Sequence, residues 1–156
     1  MMAYAFSTLY HSIPHPPVKA VLRKLDHISI FVLIAGTYTP FVLKYLPNSN
    51  GRTLLLVLWA LVGLGTLFKV FFTGKFKYLS TAIYLGMGWM LVFVSREFFS
   101  QTPPEVIWPL VIGGISYSAG VIFYLWKKLP YHHAIWHLFV LGGSVSHWVA
   151  IYAALG

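Results

Sequence analysis

Apolar residues fall along this chain in five long blocks, separated by short polar, proline-rich or glycine-containing segments. A helix needs about 20 apolar residues to cross the hydrocarbon core of a bilayer. The blocks run from near His27 to Leu46, Leu54 to Phe72, Tyr78 to Val94, Val106 to Trp126, and about His133 to Leu155. Pro14, Pro16 and Pro17 precede the first. The segments Pro47 to Gly51, Thr73 to Lys75, Thr102 to Pro104 and Lys127 to Pro130 divide the rest, each carrying turn or helix-breaking residues. The pattern predicts an all-α, polytopic transmembrane bundle forming one domain over residues 1–156, with five full spans. Residues 1–11 are also apolar, but as a helix they would rise only about 17 Å, roughly half a bilayer. They lack the basic leader and small-residue cleavage site of a signal peptide. A half-helix left by truncation or by a misplaced start codon is the expectation.

Composition agrees with this reading and narrows the chemistry. Of 156 residues, 58% are hydrophobic and 9% charged, against roughly a quarter charged in soluble domains. The chain has no cysteine, which excludes disulfides, thiolate metal sites and thiol nucleophiles and leaves histidine and oxygen as metal ligands. The formal charge of +8 is placed by loop. Lys19, Arg23 and Lys24 precede the first span, Lys75 and Lys77 follow the second with Lys69 at its end, and Lys127 and Lys128 precede the last. The alternate loops are poorer: Lys44 and Arg52 in one, Arg96 beside Glu97 and Glu105 in the other. By the positive-inside rule the richer loops are cytoplasmic and Gly156 lies outside, across a plasma (inner) membrane. The charge thus sets orientation, and nucleic acid is not an expected partner.

Ionisable residues at the edges of membrane spans need a reason to be there. His133 and His137 are four apart, so their rings share a helix face about 6 Å apart, a spacing that lets two imidazoles hold one metal. Ser7 and His11 have the same spacing. His11, His133 and Asp26 all fall at the predicted cytoplasmic border. Three neutral imidazoles and an open fourth position describe a catalytic zinc site; zinc would lower the pKa of a bound water toward about 7. Asp26, the sole acid on that face, is placed to orient such a water or take its proton, and Ser7 to hydrogen-bond it or polarise a carbonyl.

Each residue also has a structural explanation. A His-x-x-x-His pair at a helix start arises by chance, Asp26 can cap a helix or pair with Arg23 or Lys24, and Ser7 can bond its own backbone or a neighbouring helix. His15 and His132 read as interfacial residues. His27 projects about 100° from Asp26 and is at most a supporting residue; His147 lies about 21 Å beyond His133 and suits a buried polar contact. Gly63, Gly65, Gly86, Gly88, Ser116, Gly120, Gly142 and Gly143 read as sites of close helix approach. Pro40 predicts a kink whose freed backbone groups Thr37 and Thr39 can satisfy.

Several strings resemble the hemolysin III family, which belongs with the progesterone and adipoQ receptors: FSTLYH from Phe6 to His11, LDH from Leu25 to His27, AGTYTP from Ala35 to Pro40, HAIWH from His133 to His137 and GGSVSH from Gly142 to His147. The resemblance covers essentially the whole chain. It implies a seven-helix membrane protein with zinc near the cytoplasmic face, held by His11, His133 and His137, with Ser7 and Asp26 beside the bound water. Ceramidases in the wider superfamily imply hydrolysis of a lipid amide. Relative to that pattern, the first helix and the outer half of the second are missing.

Four functions compete. The leading one is a zinc-dependent hydrolase of lipid amides or esters. The others are a pore-forming, cytolytic membrane protein, a receptor-like lipid-homeostasis protein without turnover, and a bis-histidine haem protein. Scarce polar residues along the spans count against a pore, and the oxygen-bearing Ser7 and Asp26 favour zinc over haem.

Overall fold

A computed structural model describes residues 2–156 as helices joined by short turns, with no strand among the described residues. Helix α1 covers Met2–Ser12, α2 Pro16–Tyr45, α3 Ser49–Phe72, α4 Lys77–Gly88, α5 Ser95–Gln101, α6 Pro104–Leu125 and α7 His132–Leu155; a 3-10 segment, Met90–Val94, joins α4 to α5. Five helical segments are long and apolar enough to cross a membrane: Pro16–Tyr45, Ser49–Phe72, Lys77–Gln101, Pro104–Leu125 and His132–Leu155. The apolar residues before Pro14 form a short helix, α1; Met1 lies outside the described residues.

The helix starts follow local chemistry. Pro16 and Pro104 occupy first-turn positions, where the missing N–H is not needed. Asn48 caps α3 by accepting a hydrogen bond from the Gly51 N–H at 3.0 Å. The α3–α4 turn closes with Gly74 at φ +85° and Phe76 at φ 54°, the left-handed region that glycine enters without steric cost.

Three expectations change. The first span begins at Pro16, 11 positions before His27, so Asp26 lies inside a continuous helix and does not cap one. The third span is not one α-helix. It breaks after Gly88, where glycine's weak helix propensity meets an outside partner: the Tyr38 hydroxyl donates to the Gly88 carbonyl at 2.6 Å and accepts from the Leu91 N–H at 3.1 Å. Pro40 sits inside α2, but Thr37 and Thr39 donate to the Leu33 and Ala35 carbonyls at 2.7 and 2.8 Å, not to the Gly36 carbonyl that Pro40 leaves without its N–H.

The core gathers Phe31, Ala35, Val42, Leu46, Leu58, Met87, Phe98, Val106 and Ala150 from α2 to α7. Large apolar residues such as Leu56, Phe71, Phe93 and Leu155 face outward, as a protein dissolved in lipid requires. Close approach explains some of the small residues and not others. A Cβ on Gly65 would lie 2.4 Å from the Phe31 ring, one on Gly143 2.8 Å from Tyr117, and one on Gly120 2.8 Å from Phe139; at Gly63, Gly86 and Gly88 it would meet nothing within 4 Å. Helices α6 and α7 form the closest pair, and Gly113 opens the slot in which His147 approaches the Leu110 carbonyl at 3.3 Å. Helix α1 packs along α2 and reaches α7 through the Tyr4 hydroxyl, 2.5 Å from Ser144 Oγ and 3.2 Å from the Val140 carbonyl.

Candidate metal centre

Three imidazoles meet where the C-terminus of α1 faces the first two turns of α7. Helix α1 carries His11 in its last turn, and α7 begins at His132, so His133 and His137 project one above the other. His133 Nε2 lies 3.3 Å from His11 Nε2 and 3.1 Å from His137 Nε2. One donor atom from each of the three residues falls within a group no wider than 4.8 Å. Tyr4, bound to Ser144 and Val140, holds α1 against α7 two turns away and so fixes the approach of His11.

The donor set fits a metal ion. Tetrahedral nitrogens at 2.0–2.1 Å from zinc are separated by about 3.3 Å, and the two Nε2 separations from His133, 3.3 and 3.1 Å, lie at and just below that value. Hydrogen bonding alone serves the trio poorly: His133 Nε2 faces two nitrogens, yet it offers either one proton or one lone pair. A single cation among the three nitrogens uses every lone pair.

The triad opens into a cavity of about 540 Å³ lined by Ser7, Asp26, His27 and Lys69, with apolar walls from Ile30, Leu33, Leu85 and Val140. The structure therefore places Ser7, His11, Asp26, His133 and His137 around one space. Asp26 pairs with neither Arg23 nor Lys24; its Oδ2 is 3.9 Å from His27 Nδ1. His27 stays outside the triad. Its Nδ1 is 2.7 Å from the Arg23 carbonyl, which can only accept, so that nitrogen carries the proton. His147 makes a separate, partly buried contact with the Leu110 carbonyl.

Other participants were not foreseen. The Tyr84 hydroxyl donates to the His27 carbonyl at 2.9 Å and braces the α2 segment that carries Asp26. Tyr117 and Tyr4 share Ser144 Oγ, at 2.7 and 2.5 Å. Lys69, read as a cation at a helix end, is 2% exposed and lines the cavity. Its isolation in an apolar run was the only sequence signal for this placement.

Comparison with known proteins agrees with this architecture. The family model described as "Haemolysin-III related" matches residues 1–148. The chain is 49% identical to "Hemolysin-3 homolog" of Bacillus subtilis over 94% of its own length and 68% of that protein. It is 49% identical to "Hemolysin-3" of Bacillus cereus over 92% of its length and 65% of that protein. "Monocyte to macrophage differentiation factor" of Homo sapiens is 27% identical over 97% of this chain and 65% of its own length. The chain thus spans about two thirds of the length of these relatives. No solved structure matches. A bundle of apolar helices with a histidine trio at one end, matched over nearly its whole length by one family model, places this chain in the haemolysin-III related family of membrane proteins.

Proposed function

We propose that this chain is a zinc-dependent membrane hydrolase acting on a lipid amide or ester, with His11, His133 and His137 holding the ion near the cytoplasmic face. The observation that carries the reading is the convergence of three Nε2 atoms at the mouth of an apolar cavity that also contains a carboxylate and a hydroxyl. A zinc ion there would supply Lewis acidity and a water acidified into the neutral range.

The remaining work falls to the chain. Asp26, facing the cavity without an Arg or Lys partner within 4.0 Å, takes up the proton that the attacking water releases. Ser7, one turn before His11 on the same helix face, donates a hydrogen bond to the substrate carbonyl or to that water. The apolar walls hold the acyl chain and keep bulk water from the reacting carbonyl. Lys19 and Lys24 lie in the first turns of α2, and Lys75 and Lys128 in the turns before α4 and α7, all at the triad's end of the bundle, which supports the cytoplasmic assignment.

Metal analysis of the purified protein, joined to a panel of long-chain amides and esters, tests the reading. We expect one zinc per chain and fatty-acid release that Asp26→Ala abolishes while the zinc remains. Absence of bound zinc, or turnover unchanged in Asp26→Ala, would sink it. The name of the Bacillus cereus relative, Hemolysin-3, supports a second reading, a cytolytic protein. Vesicle leakage that persists in His133→Ala would favour that over hydrolysis.

A further inference from the structure

Lys69 is the least expected group in the cavity. It stands on α3 about one turn before the helix ends, is 2% exposed, and its Nζ donates to Ser80 Oγ at 2.6 Å. Ser80, itself 3% exposed, donates in turn to the Phe76 carbonyl at 3.1 Å. The hydroxyl proton is thereby committed, Ser80 acts as acceptor, and two of the three ammonium donors are left over. The Phe68 and Tyr84 rings lie 5.9 Å from Nζ, near the limit of a cation–π contact. Among the described residues no carboxylate comes within 4.0 Å of Lys69.

A buried cation of this kind calls for a counter-charge. The cavity lining does not supply one: Arg23, Lys69, Lys77 and Lys127 face a single acid, Asp26. Lys77 is partly engaged, donating to the Tyr124 carbonyl at 3.2 Å and lying 4.3 Å over the Tyr124 ring. The Arg23 guanidinium lies against Gly74, where a Cβ would come within 2.8 Å of Nη2. The glycine that closes the α3–α4 turn thus also admits Arg23 to the corner that carries Lys69.

We infer that Lys69, supported by Ser80 and with Arg23 at the rim, is a subsite for an oxyanion, and that its occupant is the phosphate of a single-chain lipid. The excess of cations suits a phosphate better than a singly charged carboxylate, and an ammonium serves phosphate as a point charge. Ile30, Leu33, Ile34 and Val121 line the same space and receive the hydrocarbon. The inference concerns the cavity assigned above to a hydrolase, but it is a statement about binding and needs neither zinc nor turnover.

Trp89 and Trp136 line the cavity and report occupancy by fluorescence quenching. The full chain in a neutral detergent is titrated with a monoacylglycerol phosphate, the matching monoacylglycerol and inorganic phosphate, with and without a zinc chelator. We expect the phosphate lipid to bind about ten- to a hundredfold more tightly than its neutral counterpart, the range of a charge-assisted hydrogen bond. The preference should vanish in Lys69→Met, return in part in Lys69→Arg, and survive both the chelator and Lys128→Met, which removes an exposed cation outside the lining. Competition by inorganic phosphate assigns recognition to the phosphate alone; its failure to compete assigns it to the whole lipid. Either supports the subsite. Equal affinity for charged and neutral lipids in the wild type overturns the proposal whether or not Lys69→Met folds, as does an equal loss of preference in Lys128→Met. Survival of the preference under chelation, with no fatty acid released from the panel of amides and esters by the zinc-loaded protein, would refute the hydrolase reading and leave the subsite standing.

Discussion

Gly65→Ala tests whether the packing of α3 on α2 governs the site. A Cβ at that position would sit 2.4, 2.6 and 2.7 Å from three atoms of the Phe31 ring. Carbon atoms rest comfortably at about 3.6 Å, so the ring must retreat by about 1.2 Å. It has nowhere to go, being 1% exposed and edge-on to Tyr84 at 4.6 Å between centroids. Overpacking of this kind costs about 1–3 kcal/mol. The strain also reaches the site, because the Tyr84 hydroxyl holds the His27 carbonyl, adjacent to Asp26; a displacement of about 1 Å in a reacting group can cost about a hundredfold in rate. Gly63, two residues away on the same helix, has open space where its Cβ would stand. Gly63→Ala should therefore be neutral or stabilising, by up to about 1 kcal/mol from helix propensity. Reversible unfolding of both variants in detergent, followed by helical circular dichroism, provides the comparison. We expect Gly65→Ala to be the less stable by about 1–3 kcal/mol. Identical unfolding curves would show that the Phe31 contact is not rigid and that the route from packing to Asp26 fails.

Further predictions concern the metal, the base and the broken span. Zinc at a hundred times its dissociation constant should stabilise the wild-type fold by about 2.7 kcal/mol, a gain lost on chelation and lost in His133→Ala, because His133 touches both other histidines; thermal unfolding with and without zinc measures it, and a full zinc effect in that variant would remove His133 from the ligand set. Asp26→Asn should keep the zinc while turnover of a lipid amide falls by about 10²–10⁴-fold, the usual share of a general base; metal content and rate are read on the same sample, and concurrent loss of zinc would make Asp26 a ligand. Tyr38→Phe leaves the Gly88 carbonyl and the Leu91 N–H without their shared partner, at a cost of about 1–3 kcal/mol. Amide exchange should then quicken over residues 88–91 specifically, and a uniform change along the chain would contradict the assigned role of Tyr38.

The chain's own pattern determined the class, the number of spans and the membership of the histidine trio. Apolar blocks of membrane length can only be helices in lipid, since backbone groups must be satisfied within each segment, and His133 and His137 share a face by helical geometry alone. Loop prolines and glycines marked most helix ends to within a few residues, but the third span, ended at Val94 by its apolar block, runs on to Gln101, and at the start of α2 Lys19, Arg23 and Lys24 interrupt the apolar run and hid the continuous helix back to Pro16. That misplacement made capping by Asp26 look reasonable. The tertiary structure decided what depends on contacts distant in sequence. It brought His11 to within 3.3 Å of His133 across 122 residues, and it broke the third span, one apolar block in the sequence, at a point held open by Tyr38. It also separated Gly65, pressed against Phe31, from Gly63, which touches nothing. Lys69 is the sharpest case. In the sequence it was one more cation near a helix end, and only the tertiary fold, in which α2 packs on both α3 and α4, buried it beside Ser80. The physical reason is common to all of these: periodicity fixes which face of a helix a residue occupies, whereas what that face meets is set by how the helices pack.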